Sequence, residues 1–432
     1  MADFEFAAGL AKIKDQKTFY VKFEPEILDI SDKNFNFNIE IYCQGYKLVK
    51  SVSISNFKEV HSYLKQILFL KDKKIISFNF KNYCSFFKKT TGKTFSSDCK
   101  IFDLKVLGNL LALAIKEPPK TFIEAINAFK KIHADYYKVS NIYEQIHIPL
   151  ITKVIPSIET IGLVNKKEKK IQYCYYEIEG QENGRLSSSC RYKDCFLPFN
   201  LKKENKEELK LKNDDDVFLS FDYKNMEVSV LEFLSKDSNL RAVLQEGKDF
   251  YESLYKNIYN KDCSPEKRKK VKKIFLPYVY GASPKALAES CNVSLAQIEE
   301  FIKNTRKIFP HTFDWLDSYS NNSNDNLYSN MFGKRRIINE KYKARNFIVQ
   351  STASIFCLDK LVDLSNYLNH SNIVFYVHDS YVVSCNRKDL NSNIEVVKNI
   401  LLNGGNLFEN ILTNVSCEIG ENLNSLLNYE VN

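Results

Sequence analysis

Two aspartates carry most of the chemical interest of this chain. Asp222 follows the apolar or small run 217–221, Val-Phe-Leu-Ser-Phe, which suits a buried strand. After it the period changes, and Met226, Val230, Leu231 and Leu234 fall at helical spacing. The unit therefore reads as strand, acid, tight turn, helix. An unpaired carboxylate is costly inside a core, but at a strand end it can point into a cleft. The alternative role for such an aspartate is a helix N-cap. Asp379 lies within 373–383, Ile-Val-Phe-Tyr-Val-His-Asp-Ser-Tyr-Val-Val, where two β-prone runs flank His378-Asp379. That pattern predicts a hairpin with an acid at its tip. Aspartates on adjacent strand ends suit phosphoryl transfer, in which two metal ions about 3.5–4 Å apart stabilise the attacking and leaving oxygens. Mg²⁺ fits such a pair, because it takes few carboxylates and leaves coordination positions for substrate phosphates.

A basic segment lies between the two acids. Within 266–281, Arg268, Lys272, Leu276 and Tyr280 recur every four residues, so a helix would place them on one face. Two cations, an apolar residue and an aromatic in line fit the phosphates, sugar and base of a nucleoside triphosphate. A basic surface helix is the alternative.

Composition sets wider bounds. At 432 residues the chain has room for two or more domains, and a formal charge of +9 suits a polyanionic partner without demonstrating one. Its 11 cysteines include no Cys-x-x-Cys pair, so reduced thiols in an intracellular compartment are expected and zinc is not. No basic region precedes an apolar run at the N-terminus, and no apolar run approaches about 18 residues, so neither a signal peptide nor a membrane span is expected.

The elements that must position these residues come in order. Residues 18–23, 37–42 and 48–54 read as strands, 57–69 as a helix, 74–80 as a strand and 83–89 as a short helix. This β-β-β-α-β-α order resembles the RNase H-like 3′–5′ exonuclease domain that precedes many polymerases. That family holds two metals through four carboxylates. Here Lys22-Phe23-Glu24-Pro25-Glu26 stands where Asp-x-Glu belongs, and Asn79 is followed by Asn82 or Tyr83 rather than an acid. Asp103 is a leftover matching position. The resemblance implies a non-catalytic domain over 1–118, closed by Pro118-Pro119. Helices are expected at 121–131 and 143–160, within a connector over 119–183, and a strand at 173–178. The charge run 202–212 reads as a solvated connection.

Residues 143–150 and 158–162 resemble the approach to the polymerase domain of DNA polymerase I and its relatives. Those proteins then insert a long helical thumb, whereas about twenty residues separate Gly162 from Gly184. Gly184-Arg-Leu-Ser-Ser188 matches their segment whose arginine, here Arg185, lies along the primer terminus. Arg268-x3-Lys272-x7-Tyr280-Gly281 is the fingers motif by which the chain is identified as a member of the family A DNA polymerases. The match runs over about 140–430. It implies an α/β (α+β) right-hand fold with palm and fingers over 184–432, the fingers at about 240–335.

The resemblance also implies roles. Asp222 and Asp379 would bind two Mg²⁺ ions. Arg268 would grip the terminal phosphate, and Lys272 would touch phosphate and protonate the pyrophosphate leaving group. Tyr280 and Leu276 would line the nucleotide pocket with Tyr223, and Glu227 would block a ribose 2′-OH. Arg185, Asn346, Gln350, His378, Arg335 and Arg336 would contact DNA. The implied reaction is template-directed addition of dNTPs to a primer 3′-OH, on primer–template DNA, without proofreading and with low processivity unless a processivity factor assists. Departures stand beside the match. Leu276 replaces an aromatic, Pro277 a glycine and predicts a kink, Ser229 an arginine, Tyr251 a phosphate-binding histidine, and Ser380 the acid after the second aspartate. A single-subunit RNA polymerase is one rival, opposed by Glu227 and the lack of a promoter-reading domain. A non-catalytic primer–template binder is the other.

Overall fold

The computed structural model describes residues 2–24, 35–190, 194–322, 325–368 and 373–429. The chain opens with a helix not expected from the sequence, α1 (Ala2–Ile13), and then builds a five-stranded sheet. Its strands are β1 (Thr18–Glu24), β2 (Asn36–Cys43), β3 (Tyr46–Ser53), β4 (Lys74–Ser77) and β5 (Lys100–Asp103), in the order β3-β2-β1-β4-β5. The first three form an antiparallel meander, in which β2 and β3 are joined through Gly45 at φ +76, a backbone state open to glycine. β4 and β5 run parallel to β1, and parallel pairing needs crossovers. Helices α2 (Phe57–Ile67) and α3 (Lys81–Thr91) supply them, and α4 (Leu104–Leu110) follows β5.

Aromatic side chains fill the space between this sheet and its helices. Phe23 stacks on Tyr83 with ring centroids 5.0 Å apart, and Phe37 and Phe57 meet Phe86 at 4.9 and 5.0 Å. Such pairs add roughly 0.5–1.5 kcal/mol each beyond their buried area.

After α5 (Phe122–Asp135) the chain is helical from Ser140 to Ile161, with wide turns over Tyr143–His147 and Leu150–Val154 either side of Pro149. Pro149 has no N–H to give to a regular ladder. Gly162 and Gly184, with every residue between them described, are joined by short strands and turns and by no helix. Only Tyr176–Glu177 of the strand expected at 173–178 forms, paired with Ser187–Ser188. The charge run folds as a short helix, Lys203–Glu208, and a two-residue strand.

A second sheet carries both aspartates. It comprises β6 (Asp216–Lys224), β7 (Ile373–Val377), β8 (Ser380–Asn386), β9 (Asn414–Gly420) and β10 (Leu427–Asn428), all antiparallel, in the order β7-β8-β6-β9-β10. Between β6 and β7 comes a helical block that includes α6 (Met226–Ser235), α7 (Phe250–Tyr259) and α8 (Pro265–Val279). Its start signals are local: Ser264 and Ser283 cap helices that open on Pro265 and Pro284. The kink expected at Pro277 does not break α8, which runs as one helix to Val279. Pro277 sits in the last turn, and the Lys273 carbonyl that its missing N–H leaves free accepts the Cys291 thiol at 3.8 Å. The long helix α9 (Lys343–Tyr367) packs against α6 and, with α10 (Leu390–Leu402), backs the sheet: Tyr381 donates its hydroxyl to the Cys357 carbonyl at 2.8 Å.

The expectation of reduced thiols throughout needs correction. Cys190 and Cys195 are joined, their Cα atoms 5.6 Å apart, while nine cysteines are free. Among the described residues no helix is long and apolar enough to cross a membrane.

Candidate active site

The central strand β6 places Asp222 between Ser380 of β8 and Ser416 of β9. Asp222 does not close the strand, which continues to Lys224 and turns at Asn225, held at φ +57. Asn225 occupies the N-cap of α6 without a side-chain cap bond, so the capping role weighed for Asp222 does not apply. Its carboxylate is left for the cleft. On the neighbouring strand pair, Val377 meets Ser380 directly, so His378 and Asp379 form a two-residue tip, with His378 at φ +55. The Tyr223 N–H donates to the Asp379 carbonyl at 3.4 Å. Both aspartates thus stand at the same end of the same sheet.

Their electrostatics follow from that placement. Desolvation, then the nearby charges of Asp379 and Glu418, push the Asp222 carboxyl up to about 7, and Lys272 opposes the rise. Asp379 is also raised, chiefly by desolvation and by Glu227, with Arg185 and Lys272 pulling the other way. Carboxylates held where their charge is disfavoured gain from a bound cation. Hard oxygen donors in this state suit Mg²⁺. Among the described residues no three His, Cys, Asp or Glu side chains converge on one point.

Facing Asp222 across one cavity of about 620 Å³ are Arg268 and Lys272 of α8, with Lys224, Lys248 and Asp249 on the same wall system. Asp249 caps α7 through the N–H groups of Tyr251 and Glu252, and its other oxygen takes the Arg268 guanidinium at 2.6 Å. The buried ring of Tyr251 lies beneath both cations, 5.6 Å from Arg268 and 5.6 Å from Lys272.

Comparison with known proteins fits this arrangement. The family model for DNA polymerase family A matches residues 117–425. The chain belongs to that family. It is 24% identical over 279 residues to DNA polymerase theta of Caenorhabditis elegans, 60% of this chain and 16% of that protein. Over 185 residues it is 26% identical to the thermostable DNA polymerase I of Thermus filiformis, 39% of this chain and 22% of that one. The chain therefore spans less than a quarter of the length of either relative. Among solved structures, the POL domain of Pol1 from M. smegmatis, in complex with DNA primer-template and dNTP, superposes at a TM-score of 0.73. Sequence identity there is 12%, and 98% of each chain is covered, so the likeness is one of fold.

Within this family A fold the remaining expected residues take definite places. Tyr280 follows the end of α8, its hydroxyl buried beside Gln350. Leu276, one turn earlier, is partly buried against the core. Glu227 lies in the first turn of α6, with Arg185 at 3.9 Å. Asn346 and Gln350 are one turn apart on α9, and Gln350 accepts from Asn183 at 2.8 Å. His378 rests its ring 5.0 Å from Phe199 and leaves Nδ1 buried and unpartnered, while desolvation and Arg185 lower its pKa. Arg335 is paired with Asp135 at 2.7 Å and Arg336 with Glu182.

Tyr223 is among the residues that line the cavity, but its side chain is held elsewhere. Alternation along β6 turns its side chain away from Asp222, into the core, where its hydroxyl donates to the Leu401 carbonyl at 2.6 Å and its ring meets Phe356. Sequence reasoning gave no role to Glu418, although Ser416 and Glu418 alternate on the face opposite Cys417. It also missed Lys248 and the hold of Asp249 on Arg268.

The first sheet presents a different picture. Glu24 is exposed and paired with Lys22 at 2.6 Å. Glu26 lies outside the described residues. Asp103 is buried and takes four backbone N–H groups, from Asn79 at 3.2 Å, Phe80 at 2.7 Å, Lys105 at 3.0 Å and Val106 at 3.2 Å. Its carboxylate is used as a helix cap. Tyr83 sits in the aromatic layer, bonded to His61 at 2.7 Å.

Proposed function

We propose that this chain is a DNA-directed DNA polymerase, adding dNTPs to a primer 3′-OH opposite a template and releasing pyrophosphate. The observation that carries the reading is the placement of Asp222 and Asp379 at one sheet end, with Asp222 sharing a cavity with Arg268 and Lys272. A triphosphate seated in that cavity would meet Arg268 and Lys272 with its charged oxygens. Binding requires Arg268 to exchange Asp249 for phosphate. Lys272 is exposed on the cavity wall, free to donate a proton as pyrophosphate departs. Asp222 and Asp379 would hold two Mg²⁺ ions, which when bound activate the primer hydroxyl and stabilise charge on the transferring phosphoryl group. Glu227 and Tyr280 would bound the sugar, Glu227 excluding a 2′-OH. Arg185, Gln350, Asn346 and His378 would face primer and template, with Arg335 and Arg336 released from their acids to add contacts.

The first sheet, residues 1–118, is read as a domain without proofreading activity, because its matching acids are replaced or spent on capping. Residues 119–183 are the connector with the reduced thumb, and 184–432 the palm and fingers. Few contacts behind the active site imply low processivity and room for a processivity factor. Nine free cysteines fit an intracellular compartment. A non-catalytic primer–template binder is disfavoured by the open, unspent carboxylates.

The deciding assay is extension of a labelled primer with and without Mg²⁺, using the wild type, Asp222→Ala and Asp379→Ala. Extension should need Mg²⁺ and fall by several orders of magnitude in either variant while DNA binding survives. Near-normal extension by both variants would remove the reading.

A further inference from the structure

A buried charge cluster lies beside the Arg185 loop, outside the reaction cavity. Glu179 is 4% exposed, and its carboxylate receives the Lys334 ammonium on one oxygen and His147 Nε2 at 3.0 Å on the other. Lys334 and His147 are 1% and 0% exposed. The other nitrogen of His147 faces the Ile142 carbonyl at 3.1 Å. Burial pushes the Glu179 carboxyl up, but the Lys334 charge and the hydrogen bond with His147 outweigh it and hold it down to about 2. Glu179 also adopts φ +56, an uncommon backbone state for a residue with a side chain.

The cluster joins segments far apart in the sequence. His147 comes from the connector helix, Lys334 from the turn leading to Arg335 and Arg336, and Glu179 begins the turn that ends in Arg185. The Glu179 carbonyl accepts from Asn109 of α4 at 3.2 Å. Next to it, Gly184 at φ +86 packs so closely that a Cβ would lie 3.0 Å from Lys334 Cε and 3.2 Å from Glu179 Oε1. The turn is then closed by Gly184 N–H to the Gln181 carbonyl at 2.9 Å and Gln181 N–H to the Arg185 carbonyl at 3.2 Å. Asn183 accepts the Arg185 N–H at 3.2 Å and passes its amide to Gln350 at 2.8 Å. Lys334 is itself fixed, its N–H donating to Asn330, which donates on to Ser351 of α9.

Buried ion pairs add little net stability over an apolar core of the same shape, yet removing one partner strands the other. Such a cluster is suited to setting one geometry. We infer that Glu179, held by Lys334 and His147, is a positioning residue that fixes the 179–185 turn and so aims Arg185 at the primer terminus. The inference rests on the DNA-polymerase reading and adds to it the group that sets the primer grip.

The test uses the full chain and compares wild type, Glu179→Gln, Arg185→Ala and the double variant. Primer–template Kd is read by fluorescence anisotropy, KM for dNTP by single-nucleotide extension, and folding by thermal melting. Glu179→Gln should weaken primer–template binding about tenfold, as loss of one well-placed charged contact does, and leave KM for dNTP within about twofold. The double variant should bind no more weakly than Arg185→Ala alone, the mark of two residues acting through one contact. Should Glu179→Gln not fold, Lys334→Arg and Lys334→Met replace it, with Kd retained by the first and lost by the second. A lower melting temperature with unchanged Kd, or losses that multiply in the double variant, would overturn the inference while extension by the wild type leaves the polymerase reading standing. Absence of extension by the wild type would instead sink that reading.

Discussion

Replacing Asp222 with Asn should stabilise the metal-free protein in alkaline buffer while removing its chemistry. Folding moves this carboxyl from its ordinary 3.8 to about 7. A rise of about three units corresponds to about 4 kcal/mol against the charged form, at about 1.36 kcal/mol per unit. Asp222 is open to the cleft, so solvent screening reduces this to about 1–2 kcal/mol. The sign follows from proton uptake. Below the ordinary 3.8 the carboxyl is protonated in both states and costs nothing. As pH rises towards about 7 the unfolded chain ionises first and is favoured, and above about 7 the penalty is complete. Asparagine keeps the shape and cannot ionise. In EDTA at about pH 8, Asp222→Asn should therefore melt a few degrees above wild type. The gap should narrow below pH 7 and close near pH 4. Mg²⁺ should raise the wild-type melting temperature by mass action and move the variant far less. Differential scanning calorimetry across that pH series is the measurement. A variant that melts at or below wild type at about pH 8, or an offset that does not change with pH, would refute the reasoning.

Three further outcomes are expected. Glu227→Ala should raise the rNTP/dNTP efficiency ratio by opening space beside Tyr280, and an unchanged ratio in competitive extension would show that Glu227 is not the sugar gate. The purified chain should leave a mismatched 3′ end intact in Mg²⁺ or Mn²⁺; digestion lost on Glu24→Ala but kept in Asp222→Ala would reverse the reading of the first sheet. Because affinity and its salt slope grow with the number of phosphate contacts, extension under a heparin trap should stop after a few nucleotides and weaken with modest salt; products hundreds of nucleotides long from one encounter would contradict this.

Much of the site was legible because its signals are local. The run 217–221, the change to helical period at Met226 and the two β-prone runs around His378-Asp379 each lie within a dozen residues, and the strand–turn–helix and the hairpin form where those patterns put them. The four-residue spacing from Arg268 to Leu276 needed only that α8 be a helix, and Ser264-Pro265 marks its start. Other features had no local signal. That β6 is central, with β8 and β9 on either side, is decided by strand pairing, and a slip of one residue in that register would turn Glu418 away from Asp222 and expose Cys417. Tyr223 adjoins Asp222 in the sequence, but pleating sends neighbouring side chains to opposite faces, and α9 and α10 cover the face that its ring occupies. Glu179, His147 and Lys334 look like unrelated surface charges in sequence, separated by 32 and 155 positions. Periodicity and turn chemistry are written in adjacent residues, whereas the pairing of distant segments is a property of the whole packed chain. The tertiary structure alone therefore decided which charges meet and which face the cleft.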